Sequence, residues 1–157
     1  MKKYIYDSKR YIVSVTIPGI FMILILIYAL FNNYINPSIN IYSLMIVICT
    51  YGIFNTFVSS SNPNMITMNN KYIYFSSFNS THEYEIKDIK KIRIREFHDK
   101  KMYLKINDGS FIKGRYWIKT NMFNDNTELY NYFIELEECL HPESLKFRNK
   151  RLKSNEL

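Results

Sequence analysis

Two short stretches place basic residues at every second position: Lys91-Ile92-Arg93-Ile94-Arg95 and Lys113-Gly114-Arg115-Tyr116-Trp117. Successive side chains of extended backbone point to opposite faces. Lys91, Arg93 and Arg95 therefore share one face, and Lys113, Arg115 and Trp117 share the outward face of another strand. Guanidinium and ammonium groups gathered in this way bind phosphates or carboxylates. The opposing expectation is an ordinary solvated face, on which Glu83 and Glu85 pair across strands with Lys91 and Arg93. Residues 71–120 hold 12 basic and 6 acidic side chains, which favours an anionic partner over full internal pairing.

Catalysis finds little support. His82, His98 and His141 lack the spacing of metal ligands, no glycine-rich phosphate loop occurs, and no serine stands in a G-x-S-x-G turn. His98-Asp99 sets an imidazole beside a carboxylate, in a turn where neighbouring side chains diverge. The expectation is a non-enzyme with no cofactor and no metal. Nucleic acid is disfavoured too. Tyr103, Tyr116 and Trp117 interleave with basic residues as base-stacking platforms do. Of the formal net charge of +7, however, +3 comes from residues 1–10 and +4 from the residues after Leu145.

Strands must carry these faces. Apolar residues two apart mark six antiparallel strands, at 65–68, 72–75, 84–86, 92–95, 102–106 and 111–118, with Asn69-Asn70 and Asn107-Asp108-Gly109 as turns. A helix follows over 126–140, because Leu129, Tyr132, Phe133, Leu136 and Leu140 recur at helical spacing. Asp125 with Glu128 has the spacing of a capping box, and His141-Pro142 ends the helix. Its apolar stripe is expected to close the open end of a bent sheet over Ile92, Ile94, Leu104 and Ile106. Residues 146–157 read as a basic flexible tail. The Asn79-Ser80-Thr81 sequon is set aside, since a cytoplasmic loop is not glycosylated.

Ahead of the strands, charge is missing. All 35 charged side chains lie outside residues 11–70. A chain of 157 residues cannot bury so long an apolar interval in its own core. The interval divides into two runs, 11–31 and 39–58, each about 20 residues long, the length that crosses a bilayer as a helix. Lys2, Lys3, Lys9 and Arg10 precede the first run, the connection carries no Lys or Arg, and basic residues resume at Lys71. By the positive-inside rule both ends face the cytoplasm, with residues 1–10 as a basic flank and 11–60 as the hairpin. Cys49 and Cys139 read as small apolar residues rather than a disulfide. Gly19 and Gly52 come to similar depth, where small residues permit close helix packing.

Two spans, a short junction, about six antiparallel strands and one closing amphipathic helix resemble the bacterial pleckstrin-homology-like membrane proteins that carry an N-terminal transmembrane hairpin. The resemblance rests on Tyr84-Glu85-Ile86-Lys87-Asp88-Ile89-Lys90-Lys91-Ile92, where one strand steps through Asp-Ile into the next, and on the helix over 126–140. The frequent Asn, Ile, Lys and Tyr, with A/T-rich codons, agree with a low-GC bacterial genome. The resemblance implies an α+β membrane protein whose bent antiparallel sheet, a half-barrel over 64–145, is closed by the helix. It also implies seven strands where six are legible. A fold of this kind serves binding more than catalysis. The expected role is a membrane-anchored interaction or regulatory module presenting its basic face to anionic lipid headgroups or a membrane protein. A self-immunity protein against a bacteriocin or peptide toxin, and an accessory subunit of a transporter, are the alternatives.

Topology is directly testable. Single cysteines at Asn36 and at Asn107, in a background lacking Cys49 and Cys139, are expected to differ when intact cells meet an impermeant thiol reagent. Only position 36 reacts; labelling at 107 refutes the orientation.

Overall fold

Lys2, Lys3, Tyr4, Ile5 and Tyr6 show no alternation of polar and apolar residues in sequence, yet they enter a strand. In the computed structural model, which describes residues 1–35, 37, 40–59, 61–78, 80–110 and 113–147, β1 (Lys2–Ile5) pairs antiparallel with β2 (Met65–Met68). Lys2 lies opposite Met68 and Ile5 opposite Met65. The segment expected as a separate basic flank is thus part of the sheet, and Tyr4 and Tyr6 lie in the core. Position 36, the start of the expected second span at 39, Asn79 of the sequon, Phe111 and Ile112 of the expected last strand, and residues 148–157 of the expected tail lie outside the described residues.

Between β1 and β2 stand two helices, α1 (Ser8–Ile35) and α2 (Ile41–Val58), each long and apolar enough to cross a membrane. Asp7 caps α1, its Oδ1 accepting the N–H groups of Lys9 (2.9 Å) and Arg10 (3.1 Å), so the helix starts before the charge-free run. Pro18 has no N–H to give Ser14, and the helix widens to i→i+5 turns over Ile12–Thr16 just ahead of it. Asn40 caps α2 by accepting from Tyr42 N–H and Ser43 N–H. The Ser43 hydroxyl donates to Asn33 Oδ1 at 2.9 Å and ties the two helices at their far ends.

Where one bent sheet was expected, two antiparallel sheets form, and they do not close into a barrel. The first runs β1-β2-β3-β4, with β3 (Tyr72–Ser77) and β4 (Ser80–Glu85); the second runs β5-β6-β7, with β5 (Ile92–Glu96), β6 (Lys101–Ile106) and β7 (Arg115–Lys119). The turn Ile86–Asp88 leads from one sheet to the other. At the opposite corner a single bridge joins Tyr6 to Phe123, flanked by Asp7 N–H to Met122 O at 3.0 Å. Between the sheets, the Phe75 and Tyr116 rings stack at 4.0 Å.

The helix α3 (Asn126–Leu140) buries Leu129 and Phe133 in this core, the Phe133 ring 6.0 Å from Phe75. The capping box does not form. Asp125 is left-handed (φ 48°) with no side-chain capping bond, and Glu128 pairs with Lys2 of β1 instead. α3 also guards the edge of β5, because Glu137 Oε1 accepts Ile94 N–H (2.8 Å) and His141 Nε2 accepts Ile92 N–H (3.2 Å). Glu137, only 7% exposed, receives Lys146 Nζ at 2.8 Å as well. Burial opposes the Lys146 charge, but hydrogen bonds to Glu137 and Glu96 outweigh it and raise the ammonium pKa. Phe147 is buried beyond it, so the domain extends past the boundary expected at 145.

A polar latch joins the sheets as well. The Tyr116 hydroxyl lies 2.8 Å from both His82 Nδ1 and the Tyr84 hydroxyl. Burial, mainly, pushes Tyr84 up to about 12 and Tyr116 further up, so both phenols stay neutral. Burial, with the Lys113 charge second, lowers His82 below 6.5. Between its folded pKa and 6.5 the unfolded chain binds more protons, so this group's contribution is complete above pH 6.5 and declines as the pH falls below it. Stability followed by Trp117 fluorescence is expected to drop on acidification through that window, and less so in His82→Gln. Equal slopes in both proteins would remove His82 from the latch.

Candidate anion-binding face

Cross-strand register builds the face. Residues at odd positions of β5, β6 and β7 point away from the core, whose inward residues are Ile92, Ile94, Met102, Leu104, Ile106, Tyr116 and Ile118. Arg93, Lys105 and Arg115 stand in one row, Arg95, Tyr103 and Trp117 in the next, and Lys101 with Lys119 in a third. Six cations and two aromatic rings share the surface, and the strand positions that build it hold no Asp or Glu. The one acid within these strands, Glu96, turns the other way, to the Tyr130 hydroxyl and Lys146. Like charges set opposite each other repel, so the rows are costly unless an anion sits between them.

Trp117 is the centre of the face. Its ring lies 4.7 Å from that of Tyr103 and 5.5 Å from that of Phe97, and Lys101 Nζ sits over it at 4.6 Å. Its backbone N–H donates to Ser61 O at 2.6 Å, which pins the junction between α2 and β2 to the edge of β7.

Of the residues singled out from the sequence, Arg93, Arg95, Arg115 and Trp117 come together here. Lys113 does not. Gly114 takes φ +93°, a backbone conformation that suits glycine, and a Cβ there would lie 2.8 Å from Gly109 Cα. The turn takes Lys113 out of the strand alternation, and its Nζ lies 4.9 Å above the Tyr84 ring. Lys91 precedes β5, its Nζ 4.0 Å from Asp108. The pairing of Glu83 and Glu85 with Lys91 and Arg93 is overturned, because β4 and β5 belong to different sheets. Glu83 and Glu85 lie opposite Tyr74 and Tyr72, and Glu83 accepts the Tyr74 hydroxyl. Tyr116 points into the core, away from the face. Lys101, Lys105 and Lys119 were missed, although Lys101-x-Tyr103-x-Lys105 and Trp117-x-Lys119 carry the same alternation in plain view.

His98 and Asp99 are both exposed in the β5–β6 turn, where Asp99 (φ 59°) and Lys100 (φ 53°) are left-handed. Among the described residues no three His, Cys, Asp or Glu side chains gather where a metal could bind. No family model, curated protein or solved structure matches the chain.

The helix pair that holds the face in place is packed through its glycines, but not by their meeting each other. A Cβ on Gly19 would lie 2.7 Å from the Phe57 ring of α2, and one on Gly52 would collide with Met22 Sδ of α1. Each glycine receives a large side chain from the partner helix. Gly52→Ala is expected to lower the yield of folded protein in detergent, and Met22→Ala added to it restores the yield. A Gly52→Ala protein that unfolds like the parent would place the helix contact elsewhere.

Proposed function

We propose that this chain is a non-enzymatic, membrane-anchored interaction module: the helical hairpin spans the cytoplasmic membrane from the inside, and the β domain applies its cationic face to anionic lipid headgroups. The observation that carries the reading is the gathering of Arg93, Arg95, Lys101, Lys105, Arg115 and Lys119 around Trp117 on one surface, on a sheet whose edge is bonded to the hairpin junction. Anchorage is supported by Phe21, Leu24, Ile27, Phe31, Leu44 and Val47, all exposed on helices that would be insoluble in water. Both connections to the hairpin come from the same end of the domain, so the domain stays within a few residues of the interface. The positive-inside distribution puts that end in the cytoplasm.

The pleckstrin-homology-like reading belongs to this proposal. It is supported by strand count and order, four strands then three with a closing helix, in which β1 supplies the strand that the sequence hid. In the proposed fold the transmembrane hairpin lies inside the domain, between its first two strands.

Trp117 is the single tryptophan and reports on its own surroundings. In nanodiscs carrying a headgroup-nitroxide lipid, quenching of Trp117 is expected to be stronger with phosphatidylglycerol than with phosphatidylcholine alone. It should weaken with salt, as the Debye length falls from about 10 Å at 0.1 M to about 3 Å at 1 M. Replacing Arg93, Arg95, Lys105 and Arg115 by Gln should remove about 4 kcal/mol of attraction, at about 1 kcal/mol per charge. Quenching that ignores lipid charge and salt would rule out the headgroup role and leave the face as a protein-docking surface.

A further inference from the structure

The end of the cationic face nearest the hairpin opens into a cavity of about 240 Å³, bounded by Tyr6, Ser14, Val15, Asn62, Pro63, Lys101, Trp117 and Lys119. Three parts of the chain meet there: the start of α1, the junction after α2, and the third row of the β5-β6-β7 sheet. Its only charges are two ammonium groups on directly opposed residues, Lys101 and Lys119, neither of which pairs with a carboxylate among the described residues.

A second observation is independent of charge. Tyr6 is 5% exposed, and among the described residues its hydroxyl has no partner in good hydrogen-bond geometry. Ser14 is its polar neighbour, and a weak hydrogen bond to it opposes the rise in pKa that burial, the larger cause, imposes. A buried hydroxyl left without a partner costs about 1 to 3 kcal/mol, so it marks a place where a ligand acceptor is missing. The neighbouring hydroxyl is not orphaned. Tyr11, one turn before Ser14 on α1, donates to Asn62 O at 2.8 Å and meets Ser77 Oγ at 3.2 Å.

We infer that this cavity is a binding site for the phosphodiester of a single anionic phospholipid. Lys101 and Lys119 hold the phosphate oxygens from the sheet side, and the Tyr6 and Ser14 hydroxyls donate to them from the helix side. Trp117 packs its ring against the glycerol. The cavity has room for a phosphodiester and part of its glycerol. Val15, in the cavity wall, is already on the apolar span, so a lipid seated by its phosphate would run its acyl chains along α1. Aromatic and basic residues at this depth are what a membrane interface selects. The inference rests on the proposed membrane anchorage, and it goes beyond the broad face in assigning one bound lipid to one place.

The test is native mass spectrometry of the full chain in neutral detergent, offered equal amounts of phosphatidylglycerol and phosphatidylcholine. Preferential retention of one phosphatidylglycerol is expected, and Lys101→Gln with Lys119→Gln should lower it about a hundredfold, about tenfold for each lost charge-assisted contact. Tyr6→Phe should reduce retention several-fold while leaving the unfolding midpoint of the lipid-free protein unchanged or raised, since the hydroxyl it removes has no partner in good geometry among the described residues. Lys87→Gln with Lys90→Gln, two exposed lysines outside the cationic face, should leave retention as it is. Retention insensitive to both the lysine pair and Tyr6, or no preference for phosphatidylglycerol, overturns the site. Displacement of the lipid by millimolar inorganic phosphate also overturns it, in favour of a free-phosphate pocket. Nanodisc quenching of Trp117 reports on the broad face separately. A lost cavity site with lipid-dependent quenching intact refutes this inference alone, and loss of both refutes the reading on which it rests.

Discussion

Pairing of β1 with β2 is the constraint on which the rest of the molecule depends. Lys2 and Met68 are neighbours in register, yet nearly the whole helical hairpin lies between them in the chain. A two-residue turn would normally join such strands; here the connection is α1 and α2. Because both helices connect to paired strands, the sheet brings their near ends together. A ladder of aromatic rings fixes them further. Phe123 meets Tyr6 at 5.1 Å, Tyr6 meets Tyr11 at 5.2 Å, Tyr11 meets Phe78 at 5.8 Å and Phe78 meets Phe57 at 5.2 Å, a path from the end of β7 across α1 and the first sheet to α2.

Rigidity at this joint has consequences for the face. The junction is bonded rather than loose: Ser59 and Ser61 are buried, their hydroxyls 2.6 Å apart, and Asn55 of α2 accepts from both. Ser61 then carries its carbonyl to Trp117 N–H. The two edges of the cationic sheet are thereby occupied, β7 by the junction and β5 by Glu137 and His141 of the closing segment. What remains open is the outward surface, so side chains rather than free backbone are left to meet a partner.

Legibility in the sequence followed the strength of each physical signal. The two long apolar helices were plain because no charge interrupts residues 11–70. Strands β3, β5 and β6 were plain because one face of each is buried and the other wet; β4, expected over 84–86, runs over Ser80–Glu85 with no fully buried residue to mark it, and β7, expected from 111, takes up at Arg115 after the Gly114 turn. β1 was not plain, since Lys2 and Lys3 satisfy two demands at once, as outward residues of a strand and as positive charges beside a span, and only the second is local. Its partner is Met68, too far along the chain for any periodicity to reveal. Lys113 was misplaced by a single residue, because Gly114 at φ +93° breaks the alternation that the spacing promised. Asp125 and Glu128 carry a capping pattern, but the ion pair of Glu128 with Lys2 draws on the same unseen strand.

Magnitudes decide what such a face can contribute. Insertion of two transmembrane helices is effectively irreversible, whereas six cations near an anionic surface supply about 6 kcal/mol at most. On the proposed reading, then, the face does not bring the chain to the membrane, because the hairpin has already done so. Its energy acts on the lipid instead. A domain pinned at the interface meets headgroups at the effective concentration of the leaflet, so contacts too weak to hold a soluble protein are sufficient to select one lipid from its neighbours. The rows of opposed like charges fit that task. On that reading Lys101 and Lys119, directly opposed, would be relieved when an anion enters between them, and the aromatic residues between the rows would supply the apolar contact that a mobile counter-ion could not use.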